Sequence, residues 1–166
     1  MPLRKLILLS SLVLAVAALS ATAALGAAKG TDRPLKGHST STTTVDLAAG
    51  TGVSDGRGPL SHLGMATFHN DFTSFTLTGP STFSFTLTAS IVAANGDVIF
   101  TTATGTGRLT ATGSEATLIS TITGGTGRFA DASGTIISSI SSVTVSTVGT
   151  TTTSNDTETH TGEISY

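Results

Sequence analysis

The sequence predicts an all-β protein in which roughly eight short strands close into an antiparallel barrel. Three observations carry this prediction. Thr and Ser are abundant whereas only 11% of the residues are charged, and β-branched Thr packs well on a pleated sheet. Apolar residues alternate with Ser and Thr in the clearest periodic segment, and Gly-rich turn signals recur along the chain. The connections are short and sequential, which favours a barrel over a sandwich because closure removes free strand edges.

Length and composition limit the classes of function. The 166 residues suffice for one domain with a single core. The chain has no Cys, which excludes disulfides, thiolate metal sites and Cys nucleophiles. Its formal net charge is −2, and it becomes −4 without the first 28 residues, since six basic residues then face ten acidic ones. No basic cluster remains, so a nucleic-acid partner is not expected.

Residues 1–28 are predicted to be a signal peptide. A short basic start precedes an apolar run over residues 6–19 and then a series of small residues. The apolar run has roughly 14 residues, fewer than the roughly 20 that a membrane-spanning helix needs, so cleavage is favoured over anchoring. The mature protein is therefore expected to be secreted or extracytoplasmic, with no membrane span. Residues 29–34 are predicted to form a tether, and 35–166 a single barrel domain.

The first half of the domain is predicted to alternate strands with loops. Residues 39–47 have strand composition, and the glycines of 49–59 predict a long mobile loop. Strand character returns over 61–68, followed by a predicted turn at 69–71 and a short strand over 72–78.

The clearest strand lies between residues 83 and 91. Apolar side chains occupy every second position, at Phe83, Phe85, Leu87, Ala89 and Ile91, as a half-buried strand requires. The following Asn95-Gly96 predicts a tight hairpin whose two central residues have positive φ. Residues 98–102 are then the returning strand.

The second half contains a weak internal repeat. The segment GTGR at 105–108 recurs at 125–128, and each copy is followed by a small turn, which predicts two similar meander turns. Further strands are predicted over 115–123, 135–148 and 157–166, the second of them long enough to be bent or broken. A turn is expected at 154–156.

The glycine-rich joint over 122–136 is the most distinctive segment. Its structural residues are Gly124, Gly125, Gly127, Arg128, Phe129 and Gly134. The segment matches the dinucleotide fingerprint G-x-G-x-x-A, but neither a helical period nor an acid about 20 residues later follows it. No cofactor is expected, and the joint is interpreted as a barrel turn in which Arg128 makes structural contacts.

Candidate catalytic residues are few. His62 lies between the predicted Gly-rich loop and a strand, where a barrel mouth is expected, although a surface or structural histidine is the plainer interpretation. Glu115 lies in a predicted strand and would be a candidate base if it were buried. The four histidines show no metal-binding spacing, so no metal is expected, and no Gly-x-Ser-x-Gly nucleophile motif occurs.

Several segments together resemble one known family. They are 35–37 (LKG), 61–64 (SHLG), 94–97 (ANGD), 124–129 (GGTGRF) with 132–134 (ASG), and 162–166 (GEISY). The mature chain resembles bacterial secreted proteins of the allene oxide cyclase-like barrel group, relatives in fold of the plant dirigent proteins. The resemblance implies an eight-stranded antiparallel barrel of lipocalin-like shape with a central apolar cavity, and a homotrimer as in the plant relatives.

Three functional hypotheses follow from this reading. The leading one is a non-enzymatic exported barrel that holds a small apolar ligand, because barrel mouths are common ligand sites. The second, implied by the resemblance, is an isomerase of the allene oxide cyclase type or a dirigent-type protein that steers a reactive lipid or phenolic intermediate. The third is a structural cell-surface or matrix protein. No motif supports catalysis, and fold alone does not carry function.

Overall fold

The computed structural model describes residues 30–166, which form a closed antiparallel barrel of eight strands in up-and-down order. The strands are β1 (Arg33–Asp46), β2 (Thr51–Leu60), β3 (Gly64–Leu77), β4 (Thr82–Val92), β5 (Val98–Leu109), β6 (Gly113–Gly125), β7 (Ser133–Val148) and β8 (Thr151–Ser165). Pairing of β1 with β8 closes the barrel. The prediction of an all-β, eight-stranded antiparallel barrel is confirmed.

The predicted boundaries at the start of the chain agree with the structure only in part. The predicted signal peptide, 1–28, lies outside the described residues. The predicted tether, 29–34, is wrong at its end, since β1 begins at Arg33 and pairs it with Ile164 of β8. Within residues 30–166, no helix has the length and apolar character needed to cross a membrane.

One end of the barrel is closed by an apolar cluster. A single 3-10 turn, Gly127–Phe129, follows β6 and carries Phe129 to the barrel axis, where its side chain is fully buried. Buried around it are Leu35, Leu60, Leu63, Ala66, Ile91, Ala93, Ile99, Ile122, Ala132, Ile136 and Ile164. Leu63, Ala93 and Ala132 lie in connections, and the others lie in the eight strands near the same end of the barrel. The closed end is therefore the main hydrophobic core.

The predicted loop over 49–59 is wrong. A turn occupies only 47–50, and β2 then pairs with β1 from Thr51 onward. The glycines face the interior, where β1 approaches closely: a Cβ on Gly56 would press on Ser41, and one on Gly58 on Ser39. They therefore permit close strand packing within a strongly curved wall rather than mark a loop.

Two predicted turns are also wrong. Residues 69–71 lie inside β3, which runs unbroken apart from a bulge between Phe72 and Ser74, and residues 154–156 lie inside β8. Both segments are polar on both faces, which is why their composition suggested turns. The inward residues among them, Asn70, Ser154 and Asp156, face an interior that is itself partly polar.

The hairpin between β4 and β5 is confirmed, with a different geometry. Gly96 has a φ of 88° and its N–H donates to the Ala93 carbonyl at 2.9 Å, while the Ala93 N–H donates to the Asp97 carbonyl at 2.8 Å. In the described chain only His62 among non-glycine residues has positive φ, so Asn95 does not share the conformation of Gly96. The connection is a three-residue loop in which glycine supplies the left-handed position.

The predicted internal repeat does not correspond to two similar turns. The first copy lies within β5, and the turn that follows it spans 110–112, whereas the second copy ends β6 and forms the 3-10 turn. Gly105 and Gly107 face the interior, and a Cβ on either would collide with the ring of Phe85 or Phe83. The first pair of glycines therefore makes room for aromatic side chains. The predicted bend in the long strand β7 is present as a bulge between Thr144 and Ser146.

Candidate functional site

The barrel encloses a cavity of about 820 Å³ that opens at the end opposite the apolar cluster. Leu47, Leu109 and Val143 lie at its mouth. The four connections at that end, 47–50, 78–81, 110–112 and 149–150, contain no charged residue. The route into the cavity is thus uncharged and bordered by exposed apolar side chains.

One wall of the cavity is aromatic. It is formed by Phe72 and Phe75 of β3, Phe83, Phe85 and Leu87 of β4, and Leu118 of β6. The ring centroids of Phe75 and Phe83 are 5.0 Å apart, and those of Phe72 and Phe85 are 5.4 Å apart. The alternation predicted for residues 83–91 is therefore confirmed, and it presents its apolar face to a cavity as well as to packed side chains.

The opposite wall is polar and centres on β8. Asp156, Glu158 and His160 occupy alternate positions of this strand and line the cavity. In register beside them, β1 contributes Ser39 and Ser41 and β7 contributes Ser138 and Ser142. Because side chains two residues apart share a face of a strand, three ionisable groups are held in a row inside the barrel.

Asp156 is buried and surrounded by hydroxyl groups. The Thr43 hydroxyl donates to Oδ2 at 2.5 Å, the Ser154 hydroxyl to Oδ1 at 2.9 Å, and the Ser41 hydroxyl lies 3.4 Å from Oδ2. Hydrogen bonds of this kind solvate a carboxylate inside a protein. They hold Asp156 in one orientation against the cavity wall.

Glu158 has one satisfied and one open carboxyl oxygen. Ser41 donates to Oε1 at 2.8 Å, whereas His160 Nε2 lies 3.8 Å from Oε2, beyond hydrogen-bond distance. Its side chain is only 12% exposed. Burial raises the pKa of Glu158 above its ordinary value, the Ser41 hydrogen bond opposes this, and the charge of Asp156 raises the pKa further. The group is thus well suited to exchange a proton or to pair with a cation.

His160 is a buried, neutral histidine. Ser39 Oγ lies 2.8 Å from Nε2 and Ser138 Oγ 2.8 Å from Nδ1, while the ring stacks on Phe68 with centroids 5.5 Å apart. Burial lowers its pKa to about 4, with a smaller effect from His38. One ring nitrogen therefore donates and the other accepts a hydrogen bond at neutral pH.

The Ser39–His160 pair does not form a catalytic triad. In such a triad a carboxylate orients the histidine through its second nitrogen, but here Ser138 occupies that place. Ser39 itself is 2% exposed, which keeps its hydroxyl from a substrate. In the described residues, no group of three or more His, Asp or Glu side chains is placed to hold a metal ion.

The charge inside the cavity has one sign. Asp156 and Glu158 line it, and among residues 30–166 no Lys or Arg does so. A negatively charged ligand would therefore find no positive side chain in the cavity, whereas a positively charged ligand would be attracted by two carboxyl groups.

The candidate residues chosen from the sequence lie outside this cavity. Glu115 projects from the outer face of β6, where its carboxylate pairs with Arg108 at 2.7 Å and its side chain is 53% exposed. This corrects its candidate role as a buried base, because an exposed, paired carboxylate has neither the burial nor the position for it.

His62 lies at the closed end of the barrel. It occupies the β2–β3 turn with a φ of 69°, and its Nε2 is 3.1 Å from the Pro34 carbonyl. The mouth expected near His62 is therefore at the wrong end. The actual mouth includes the 47–50 turn, which shares only residues 49 and 50 with the predicted loop over 49–59.

The glycine-rich joint fastens the closed end. Arg128 donates through Nη2 to the His62 carbonyl at 2.5 Å and through its backbone N–H to Asp97 at 3.2 Å. Its guanidinium lies 4.6 Å from the Phe129 ring centroid and 5.7 Å from that of Tyr166. Arg128 thus joins the β2–β3 turn, the β4–β5 turn and the C-terminus.

The remaining glycines of the joint have conformational roles. Gly124, Gly127 and Gly134 have φ values of 128°, 54° and 140°, which residues with a side chain rarely adopt. A Cβ on Gly127 would also collide with the Asp97 carboxylate, and one on Gly125 with the Val98 carbonyl. These positions shape the chain between β6 and β7, and none of them lines the cavity.

Sequence reasoning missed the polar row on β8. The signal was present in the pattern NDTETH over residues 155–160, where three ionisable residues recur at every second position. The turn predicted at 154–156 broke the pattern and hid it.

Comparisons with models of protein families, with curated proteins and with solved structures found no match. The fold and the site therefore define the chain by structure alone, as a closed eight-stranded antiparallel barrel with an internal cavity that has one aromatic and one acidic wall.

Proposed function

We propose that this barrel is a binding protein that holds a small, largely apolar molecule in its cavity, in the manner of a lipocalin. The observation that carries the proposal is the open cavity of about 820 Å³ with its phenylalanine wall. Ligand sites in proteins commonly measure about 300–1,000 Å³ and are lined mainly by apolar and aromatic side chains with a few polar groups. This cavity fits that description in size and in lining.

The energetics of burial favour such a ligand. Each 100 Å² of apolar surface removed from water contributes about 2.5 kcal/mol. The uncharged mouth lets an apolar molecule enter without passing fixed charges, and the interior hydroxyl and carboxyl groups give a polar end of the ligand its hydrogen-bond partners. The proposal thus concerns an elongated molecule with one apolar and one polar end.

Binding is tested with an apolar fluorophore, N-phenyl-1-naphthylamine, whose emission rises when it leaves water. The wild-type protein should enhance its emission saturably. Ala89→Trp places an indole in the cavity, because Ala89 lines it, and should weaken binding at least about tenfold. The matched control is Thr88→Trp, at the exposed neighbouring position on β4, which should bind as wild type. Equal affinity in both variants, or no saturable signal from the wild type, would refute the proposal.

The family, location and assembly belong to the same proposal. The predicted signal peptide implies export from the cell. The resemblance of the turn motifs implies membership in the allene oxide cyclase-like group and a homotrimer. Native mass spectrometry of protein recovered from the medium tests them together, because it reads the mature N-terminus, the oligomer and any co-purified ligand. A full-length monomer that stays inside the cell would count against all three.

A second candidate function is an isomerase of the allene oxide cyclase type, and Glu158 is the observation that favours it. A buried carboxyl group whose pKa is raised by burial is a candidate proton donor or acceptor. The test is chiral analysis of the products formed from an unsaturated fatty-acid epoxide. An enzyme should give one enantiomer in excess, Glu158→Gln should abolish that excess, and the exposed Glu115→Gln should preserve it. A racemic product with the wild-type protein would eliminate this candidate.

A further inference from the structure

We infer that the cavity selects molecules whose polar end is an organic cation, an ammonium group on an apolar chain or ring, with the cation against Glu158 and Asp156 and the apolar part against the phenylalanine wall. This inference rests on the proposed binding function and specifies the ligand class. It depends on the sign of the charge in the cavity and on which acceptor atoms are open.

The two walls give the cavity a direction. The aromatic wall comes from β3 and β4, and the acidic residues come from β8, on the other side of the closed strand order. A molecule lying between them has its apolar surface on Phe83 and Phe85 and its polar end toward β8. Phenylalanine faces also attract a nearby cation through their quadrupole, so neither wall opposes a positive charge.

The acceptor that remains open is on Glu158. Thr43 and Ser154 already donate one hydrogen bond to each oxygen of the Asp156 carboxylate. On Glu158, by contrast, Ser41 serves Oε1 alone, and the distance of 3.8 Å from Oε2 to His160 Nε2 leaves that oxygen without a close donor in the described chain. An ammonium group can donate three hydrogen bonds and accepts none, which matches an open carboxyl oxygen beside a second carboxyl group.

An anionic head group meets the opposite situation. Within residues 30–166 the cavity offers no Lys or Arg, and His160 is held neutral between two serines. A carboxylate would therefore sit beside two carboxyl groups without a counter-charge. A hydroxyl group could donate to Glu158 but would gain no charge attraction. The expected order of affinity is ammonium, then alcohol, then carboxylate.

Binding should be linked to a proton on Glu158. The titratable groups facing it are Asp156 and His160 of its own strand, while the neighbouring positions on β1 and β7 are Ser39, Ser41 and Ile140, none of which is charged. A cation favours the ionised form of Glu158, whose pKa is raised in the empty cavity. Affinity for an ammonium ligand should therefore rise with pH through that raised pKa, and affinity for an alcohol should not.

The test uses three ligands with the same alkyl chain: dodecylammonium chloride and sodium dodecanoate below their micelle concentrations, and dodecanol below its solubility limit. Each displaces N-phenyl-1-naphthylamine from the wild-type protein near neutral pH. Dodecylammonium should bind at least about tenfold more tightly than dodecanoate. Glu158→Gln should reduce the preference for ammonium over alcohol by about tenfold while leaving dodecanol affinity unchanged. Glu115→Gln, which removes a carboxylate from the outer face, is the matched control and should change none of the affinities.

Circular dichroism shows whether Glu158→Gln is folded. If it is not, Asp156→Asn serves as the second variant, and it too should reduce the preference for ammonium over alcohol. Dodecanoate binding as tightly as dodecylammonium would overturn the inference while leaving the proposed binding function intact. Full ammonium preference in the folded variants would overturn it as well. Failure of all three ligands and of the fluorophore to bind would instead remove the proposed function itself.

Discussion

Removal of the Phe129 side chain tests whether the apolar cluster at the closed end holds the barrel together. Phe129 has 0% exposure and packs edge-on against Tyr166, with ring centroids 4.8 Å apart and planes at 71°. A buried Phe→Ala substitution costs about 3–5 kcal/mol, and loss of the aromatic pair is part of that cost, at about 0.5–1.5 kcal/mol. Because the surrounding strands belong to a closed barrel and cannot move inward independently, we expect Phe129→Ala to cost about 4–5 kcal/mol, the upper half of that range.

The matched control is Phe100→Ala. Phe100 is in the neighbouring strand β5 but points outward and is 45% exposed, so its loss should cost less than about 1 kcal/mol. The assay is equilibrium unfolding in urea followed by far-ultraviolet circular dichroism, with the free energy extrapolated to water. Domains of this kind are stable by only about 5–15 kcal/mol. Phe129→Ala should therefore lower the urea concentration at the unfolding midpoint much more than Phe100→Ala does.

Two results would refute the reasoning. A cost below about 1.5 kcal/mol for Phe129→Ala, smaller than any typical buried Phe→Ala change, would mean that the closed end is not a packed core. Equal costs for the two substitutions would mean that burial in this barrel does not distinguish the inner from the outer face.

Three further predictions concern the joint, the buried histidine and the cavity. Gly127→Ala should destabilise the fold by at least about 2 kcal/mol, because it combines the strain of a left-handed backbone with a collision at Asp97. The control is Gly149→Ala, at a φ of 60° with open space around it, which should cost only the strain of about 1 kcal/mol. Urea unfolding measures both costs. The pKa of His160 falls from 6.5 to about 4 on folding, so the unfolded chain binds more protons in that window and stability should fall by up to about 3 kcal/mol as the pH drops through it. His160→Gln should remove most of that slope. Gly105→Ala should push the overlying phenylalanine ring into the cavity, costing about 1 kcal/mol and weakening binding of N-phenyl-1-naphthylamine.

Each of these expectations can fail. Equal costs at Gly127 and Gly149 would show that the Asp97 contact has no energetic weight. The same acid sensitivity in wild type and His160→Gln would assign it to other groups; Glu158, with its raised pKa, acts in the opposite sense, because its protonation stabilises the fold as pH falls. Unchanged fluorophore affinity in Gly105→Ala would indicate that the probe binds elsewhere.

The fold was predictable from the sequence wherever local pattern and tertiary environment agree. The apolar positions from Phe83 to Ile91 face one way in β4, as their alternation predicted, and Gly96 supplies the positive φ of the next hairpin. Both signals depend on short-range geometry, since a strand alternates its faces and glycine tolerates the left-handed region wherever it occurs. The number of strands agrees with the prediction only because two errors offset each other: β2 was predicted as a loop, and β3 was predicted as two strands.

The errors share one physical cause. Glycine and polar residues were interpreted as loop or turn formers at 49–59, 69–71 and 154–156, yet all three segments contribute to strands. Inside this barrel, glycine is needed where neighbouring strands approach closely, and polar side chains are tolerated where they face a hydroxyl-rich cavity. Neither environment is visible from one segment, because each is created by strands distant in sequence.

The sequence by itself determined the all-β class of the fold and, through its lack of Cys, the absence of disulfides, because these depend on composition and local periodicity. Only the tertiary structure decided which end is open and which residues meet inside. Closure of β1 on β8 brings Ser39 and Ser41 beside Glu158 and His160, across more than 100 residues of chain, and places the phenylalanines opposite them. The function proposed here depends on that juxtaposition, since a cavity and its charge belong to no single segment of the chain.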